Sequence, residues 1–256
     1  HEINMVCFYG LAKESADTVL PESSLFRPEF ARAWSDFNPK MANALLDELG
    51  LTKRNDRGIR LLPDGRAAHI IVETAGESTL ETDVLELVTD HWRQLGISLS
   101  SRPTQRDVFR KRAMGGEVMM SVWFGMDNAV PTPDMLPAGL APTGDDQLQW
   151  PVWGVHYLSG GREGVEPDLP EAAHLLALLK QWRRSVKEED RRNIWLEMLS
   201  IYSQQVFSIG IVNSALQPIV HAAKMRNVPE KGLYGFEPTS YLGVYMPDAF
   251  WYDGDA

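Results

Sequence analysis

The sequence predicts an α/β fold: a mixed, partly parallel sheet flanked by helices. Three observations predict it. Short apolar runs alternate with amphipathic helical segments between residues 67 and 124. Gly, Pro and Asn punctuate the boundaries of those segments. The 256 residues are 44% hydrophobic and 23% charged, ordinary proportions for a chain that buries a core.

Taken in order, Glu2–Phe8 has helical character, with Ile3, Val6 and Cys7 at helical spacing. Residues 11–38 are rich in Pro, Ser and aromatics, have weak periodicity, and read as a packed loop. Asn38-Pro39 starts a helix, since Asn caps free N–H groups and Pro suits the first turn. Met41, Ala42, Leu45, Leu46 and Leu49 form its apolar face, and Gly50 ends it. Residues 51–66 form a polar loop with a Pro63-Asp64-Gly65 turn.

Ile70-Ile71-Val72 marks a strand within 67–74. A helix follows over 79–95, with Leu80, Val84, Leu87, Val88 and Leu95 on one side and Gly96 at its end. Ile97–Ser100 alternates as a strand. Residues 105–114 form a basic helix with Thr104 as its N-cap, and Val118–Phe124 is another buried strand. This β-α-β-α-β order predicts parallel pairing through right-handed crossovers. Residues 125–167 then form a long Gly- and Pro-rich loop that holds Trp150 and Trp153. A loop of that length in a compact domain is usually functional or disordered, and its aromatics argue against disorder. Helices follow at 168–187 and 188–206, with strand candidates at Ile209–Val212 and Pro218–Val220. The segment from 224 is rich in Pro, Gly and aromatics and is expected to wrap another surface.

Charge and motifs exclude several function classes. The chain carries 25 Lys+Arg against 35 Asp+Glu, a net charge of -10. That disfavours a nucleic-acid binder, which needs a basic face, and docking on an anionic membrane surface. The single Cys7 excludes an internal disulfide and a cysteine-rich metal site. No apolar run approaches the roughly 20 residues that span a bilayer. There is no Gly-x-Ser-x-Gly elbow, no phosphate loop, and no His-x-x-x-His pair among His1, His69, His91, His156, His174 and His221. Asn55-Asp56-Arg57-Gly58 lacks the oxygen ligands of a calcium loop. No cofactor and no metal are expected.

One constellation remains. The last predicted strand runs into Trp123-Phe124-Gly125-Met126-Asp127-Asn128. In open α/β sheets, ligands bind beyond the carboxyl ends of the strands. Trp123 and Phe124 can form an apolar or cation–π wall, Gly125 adds flexibility, and Asp127 can accept hydrogen bonds from a ligand amine. The competing reading makes Trp123 core and Asp127 a turn cap. A second aromatic cluster, Trp150–Tyr157 with Trp153 and His156, is either a binding wall or a loop anchor, and composition does not separate the two.

These motifs, in this order, resemble the C-terminal part of family 5 extracellular solute-binding proteins, the peptide, nickel and opine receptors of ABC importers. The similarity rests on Glu2–Gly10, on Asn38–Leu51, on Asp56–Arg60 with Leu62-Pro63-Asp64-Gly65, and on Trp92-Arg93-Gln94-Leu95-Gly96-Ile97. It continues through the strand ending at Trp123, Trp153–Gly161 and Arg226–Glu230. The resemblance implies a periplasmic-binding-protein-like lobe. Residues 1–223 would form the second lobe of a two-lobe receptor, and 224–256 would return toward an N-terminal lobe absent here. The opening at His1 is expected to reflect a mature fragment or a truncated piece.

The family implies a non-enzymatic receptor in the bacterial periplasm that closes on a peptide or other small solute and delivers it to an ABC permease. In its peptide receptors an Asp shortly after this Trp holds the ligand's amino end. Here Met126 stands at that offset and Asp127 one residue further. Cations that meet a peptide carboxylate in some members fall near Glu81, Arg112 and Met120, of which Arg112 alone is basic. The expected ligand-binding set is therefore Trp123, Phe124, Gly125, Met126, Asp127, Asn128, Arg112, Trp153 and His156. Peptides, opines, oligosaccharides and metal chelates all lie in the family's range. The rival readings are a hydrolase using Asp127 or His156, and a protein-interaction module built on the 123–157 loop.

Overall fold

The computed structural model describes residues 1–126, 128–233 and 245–254. It opens with helix α1 (Glu2–Phe8) and the two-residue strand β1 (Lys13–Glu14). A short helix, α2 (Pro28–Arg32), interrupts the expected 11–38 loop. Helix α3 (Pro39–Glu48) starts as its sequence requires, with the Asn38 side chain accepting the Met41 N–H at 3.0 Å. Strand β2 (His69–Thr74), helix α4 (Thr79–Leu95), strand β3 (Ser98–Pro103), helix α5 (Arg106–Met114) and strand β4 (Met120–Ser121) follow in the expected alternation. Beyond them lie α6 (Pro151–Leu158), α7 (Pro170–Arg184), α8 (Glu188–Gln205), β5 (Val212–Asn213), β6 (Met225–Arg226) and β7 (Trp251–Tyr252).

The sheet is parallel, in the order β3-β2-β4. His69 lies opposite Ser98, Thr74 opposite Pro103, and Val72 opposite Met120. Two antiparallel pairs, β1 with β5 and β6 with β7, make the strand content mixed, so the α/β class holds.

Two hydrophobic clusters hold these elements. In the first, Leu85 of α4 packs on Val72 and Leu99, with Val88 and Trp92 beside it. Positions 85, 88 and 92 share one helical face. The buried stripe is therefore rotated from the expected one: Leu85 is the buried residue of α4, while Leu80 is exposed. In the second cluster α7 meets α8, placing Leu175, Leu179 and Trp182 with Trp195, Met198 and Leu199. Val19, Leu25 and Phe30 join this cluster, so much of the 11–38 segment is packed loop.

Several expectations need correction. Helix α3 buries none of its residues, and Met41, Leu45 and Leu49 are exposed. A polar anchor reaches the helix instead: the buried Arg60 guanidinium, which donates to Asn43 Oδ1 at 2.7 Å. Thr104 does not cap α5. Gln105 holds that place without a side-chain bond, and Thr104 Oγ1 is buried without a hydrogen-bond partner. The strand expected over 118–124 pairs only at Met120–Ser121, with the Val122 N–H still donating to Glu73 O at 3.3 Å, and the chain beyond reaches residues 17–23 at Ala129. The 125–167 loop contains α6, which Pro151 starts, and a 3-10 turn at Ala138–Leu140. Pro218–Val220 forms no strand. No helix among the described residues is long and apolar enough to cross a membrane.

Candidate functional site

Strands β2 and β3 end level with each other, at Thr74 and Pro103. The segments leaving them, Ala75–Glu77 and Thr104–Arg106, line a groove of about 530 Å³. The chain leaving β4 supplies Trp123 and Phe124, which are 39% and 80% exposed. Trp123 stacks against the buried Phe109 of α5, with centroids 6.0 Å apart and planes at 30°. Phe124 meets Trp123 edge-on at 5.9 Å. The Arg106 guanidinium lies 5.5 Å from the Trp123 ring centroid, within cation–π range. Trp123 is therefore supported on one part of its surface by core and open on another.

The cations beside this wall already have partners. Arg106 donates from Nε to Glu77 Oε1 at 2.9 Å and from Nη2 to Glu77 Oε2, which holds the Glu77 carboxyl below its ordinary range. Arg112 donates to Glu73 through Nε at 3.1 Å and Nη2 at 2.8 Å, and to Glu117 through Nη1 at 3.1 Å. Glu73 sits on the central strand and is 3% exposed. A buried carboxylate needs such a bidentate partner, since an unpaired one is costly to desolvate. Arg102 adds a longer contact at 3.5 Å. Arg112, expected to meet a ligand, is thus engaged by two carboxylates.

The hydrogen bonds from Arg112, outweighing the cost of burial, hold the Glu73 carboxyl below its usual value. Its stabilising effect is therefore full above the ordinary carboxylate range and is lost as pH falls through the lowered folded value. Glu73→Gln should flatten the acid side of the stability profile, from the ordinary carboxylate range downward. Urea unfolding across that range measures it. Parallel profiles for variant and parent would show that the pair adds no pH-dependent stability.

The other candidate residues are placed as follows. Gly125 lies against Asp17, and Met126 packs on the helical cluster. Asp127 lies outside the described residues. Asn128 accepts the Val130 N–H at 3.1 Å and donates to Met135 Sδ at 3.0 Å, which makes it a turn former. Trp153 packs on the helical cluster. His156 is half-buried in the last turn of α6, where its carbonyl accepts the Gly161 N–H at 2.9 Å. Among the described residues no hydrogen bond or ring contact joins Trp153 or His156 to Trp123 or Phe124. The structure thus brings Trp123, Phe124 and Gly125 together near one sheet edge. Among the described residues no cluster of three His, Cys, Asp or Glu side chains is arranged to hold a metal ion.

Sequence reasoning missed Glu73, Glu77, Arg106 and Asp17. Glu73 carried a signal, because a carboxylate in an otherwise apolar central strand demands a cation. Glu77 and Arg106 carried none, since they meet across 29 residues.

A parallel sheet in the order β3-β2-β4 flanked by helices is a periplasmic-binding-protein-like fold. Residues 1–147 match the bacterial extracellular solute-binding proteins, family 5, middle region, and the chain belongs to that family. The fold superposes on the oligopeptide-binding protein OppA with a TM-score of 0.77 at 27% identity, covering 99% of this chain and 41% of OppA. AppA from Bacillus subtilis, solved with a nonapeptide, gives a TM-score of 0.67 at 12% identity, over 99% of this chain and 45% of AppA. A periplasmic oligopeptide-binding protein from Thermotoga maritima, solved with mannohexaose, gives 0.63 at 16% identity, over 89% and 41%. The last two are likenesses of fold. The chain spans less than half the length of these receptors. No curated protein matches significantly.

Proposed function

We propose that this chain is the second lobe of the substrate-binding component of an ABC importer. Residues 1–223 form that lobe, and 224–256 return toward the N-terminal lobe. The receptor captures a small solute between its lobes by hinge closure and delivers it to a membrane permease from the periplasm. It binds without chemical conversion. The observation that carries this reading is the exposed Trp123–Phe124 pair beside the groove at the carboxyl edge of the sheet. Large aromatics left open beside a groove are what a ligand or an opposing lobe covers.

The family range favours a peptide, peptide-like or opine-like solute, with Asp127 holding an amino group. A second reading, an uncharged oligosaccharide, is supported by one specific observation. Arg106 and Arg112 are both held by carboxylates, so a solute carboxylate meets no unpaired guanidinium on this wall. Sugar rings offer apolar faces to aromatics and hydroxyls to polar neighbours. The Thermotoga maritima receptor with mannohexaose is a fold neighbour of this kind.

A thermal-shift screen of the full-length receptor with peptides, opines, oligosaccharides and metal chelates tests the proposal. A compound that binds the native state raises its melting temperature. Trp123→Ala should then weaken binding at least tenfold, about 1.4 kcal/mol. Unchanged affinity would remove the aromatic pair from the site. Conversion of a compound would favour the hydrolase rival, and no shift with any class would overturn the receptor reading.

A further inference from the structure

We propose that Asp17, fixed by Ser208, is the positioning residue of the aromatic loop: its carboxylate holds the backbone that carries Trp123 and Phe124. The inference rests on the receptor reading for its functional meaning, but its geometry is independent of any solute. Strand β4 stops at Ser121, so the backbone groups beyond Val122 have no ladder to join. Unpaired backbone groups that leave water need other partners. The segment 17–23 supplies hydrogen bonds at two points and packs against a third. The Asp17 carboxylate lies against the Gly125 backbone, beside the Met126 N–H. The Leu20 N–H donates to Ala129 O at 2.7 Å, and Ser23 Oγ donates to Pro131 O at 2.6 Å.

Asp17 is the contact nearest the aromatic pair and the only charged one of the three. Burial outweighs its hydrogen bonds and raises the Asp17 carboxyl above its ordinary range. Gly125 is shaped around it, because a Cβ at that position would lie 2.7 Å from Asp17 Oδ1. The glycine read from sequence as a source of flexibility is instead the space the carboxylate occupies. The carboxylate is held in turn: Ser208 Oγ donates to Asp17 Oδ2, Tyr202 Oη donates to Ser208 Oγ at 3.2 Å, and Gln149 Nε2 donates to Tyr202 Oη at 3.3 Å. Tyr202 belongs to the helical cluster. Through this chain the helical core sets where the loop from the parallel sheet comes to rest.

Hydrogen exchange by mass spectrometry on the full chain tests this without a solute. Asp17→Ala should raise exchange in 122–131 at least tenfold while α7 and α8 keep the parent's protection. Asp17→Asn keeps the shape of the side chain against Gly125 and an acceptor for Ser208, and should restore most of that protection. Ser208→Ala, which frees the carboxylate from its far side, should loosen the same segment by a smaller factor. Unchanged exchange in 122–131, or an equal rise across α7 and α8, would overturn the proposal and leave Asp17 a general stability residue. If Asp17→Ala does not fold, Ser208→Ala decides by the same criteria. Where a screened solute raises the parent's melting midpoint, Asp17→Ala should weaken its binding at least tenfold and Asp17→Asn should recover most of it. Failure of the solute screen bears on the receptor reading alone, and failure of the exchange pattern bears on Asp17 alone.

Discussion

Arg60→Met is expected to destabilise the lobe by about 3 kcal/mol or more. Arg60 is 2% exposed, and its fork serves several acceptors at once. Nε donates to Leu95 O at 2.7 Å, Nη1 to Asp47 Oδ1 at 2.5 Å and to Leu51 O, and Nη2 to Asn43 Oδ1 at 2.7 Å. One side chain thus ties α3, the chain that follows it, and the last turn of α4 together. Methionine fills the volume of the stem but takes the donor from Asp47 and Leu51 O, while Asn43 Oδ1 and Leu95 O keep Arg54 Nη2 at 3.0 Å and 3.1 Å. Because α3 buries no apolar residue, the exposed Arg54, which also joins Asn43 to Leu95, is left to hold the helix. Arg60→Lys should recover only part of the loss, since one ammonium cannot reproduce a planar fork. Urea unfolding with a fitted m-value measures the change. A loss below about 1 kcal/mol, the size of an ordinary surface substitution or little more, would mean that water takes over the acceptors.

Gly210→Ala is expected to lower the melting midpoint by about 10 °C, from a cost of about 3 kcal/mol. A Cβ at Gly210 would lie 2.2 Å from Asp17 N, 2.4 Å from the Ala16 carbonyl carbon and 2.8 Å from Ser15 O. All three are backbone atoms, so no side-chain rotation relieves the clash. The nearby β1–β5 pairing, Lys13 opposite Asn213 and Glu14 opposite Val212, leaves the two segments little room to part. The substitution also displaces Asp17, so exchange in 122–131 should rise together with the fall in stability. Gly254→Ala is the control, since nothing lies within 4 Å of a Cβ there. Equal midpoints for the two variants would show that residues 15–17 do not rest against Gly210 in solution.

The site joins two kinds of contact that respond to different changes. The wall of Trp123 and Phe124 is apolar and rests on Phe109. The ion pairs around it, Glu77 with Arg106 and Glu73 with Arg112, hold charge in place without leaving either guanidinium unpaired. Under the oligosaccharide reading proposed above, paired guanidiniums beside the aromatics would favour uncharged solutes. The solute screen therefore carries its sharpest information in the contrast between charged peptides and uncharged oligosaccharides.

The sequence by itself determined the features whose causes lie within a few residues. The alternation of β2, α4, β3 and α5 follows from apolar periodicity. The start of α3 follows from Asn38 and Pro39, and the end of α4 from Gly96, which adopts φ 83° as its C-cap. The family was legible too, because its motifs are local strings in a fixed order. The candidate wall at Trp123 and Phe124 could be placed for the same reason, as the residues that follow a strand.

Only the tertiary structure decided what depends on distant partners. The chosen face of α4 turned on what Val72 and Leu99 offered it, so Leu85 went inward and Leu80 did not. Strand β4 ends at Ser121, and segment 17–23, far off in sequence, bonds the chain beyond it at Ala129 and Pro131. Arg112 reads as a free cation in the sequence, yet Glu73, 39 residues away, takes it. Asp17 and Ser208 meet across 191 residues. Helical and strand periodicity report which residues share a face over a few positions. They carry no record of which distant charge or carbonyl will arrive there, and in this protein those arrivals shape the surroundings of the site.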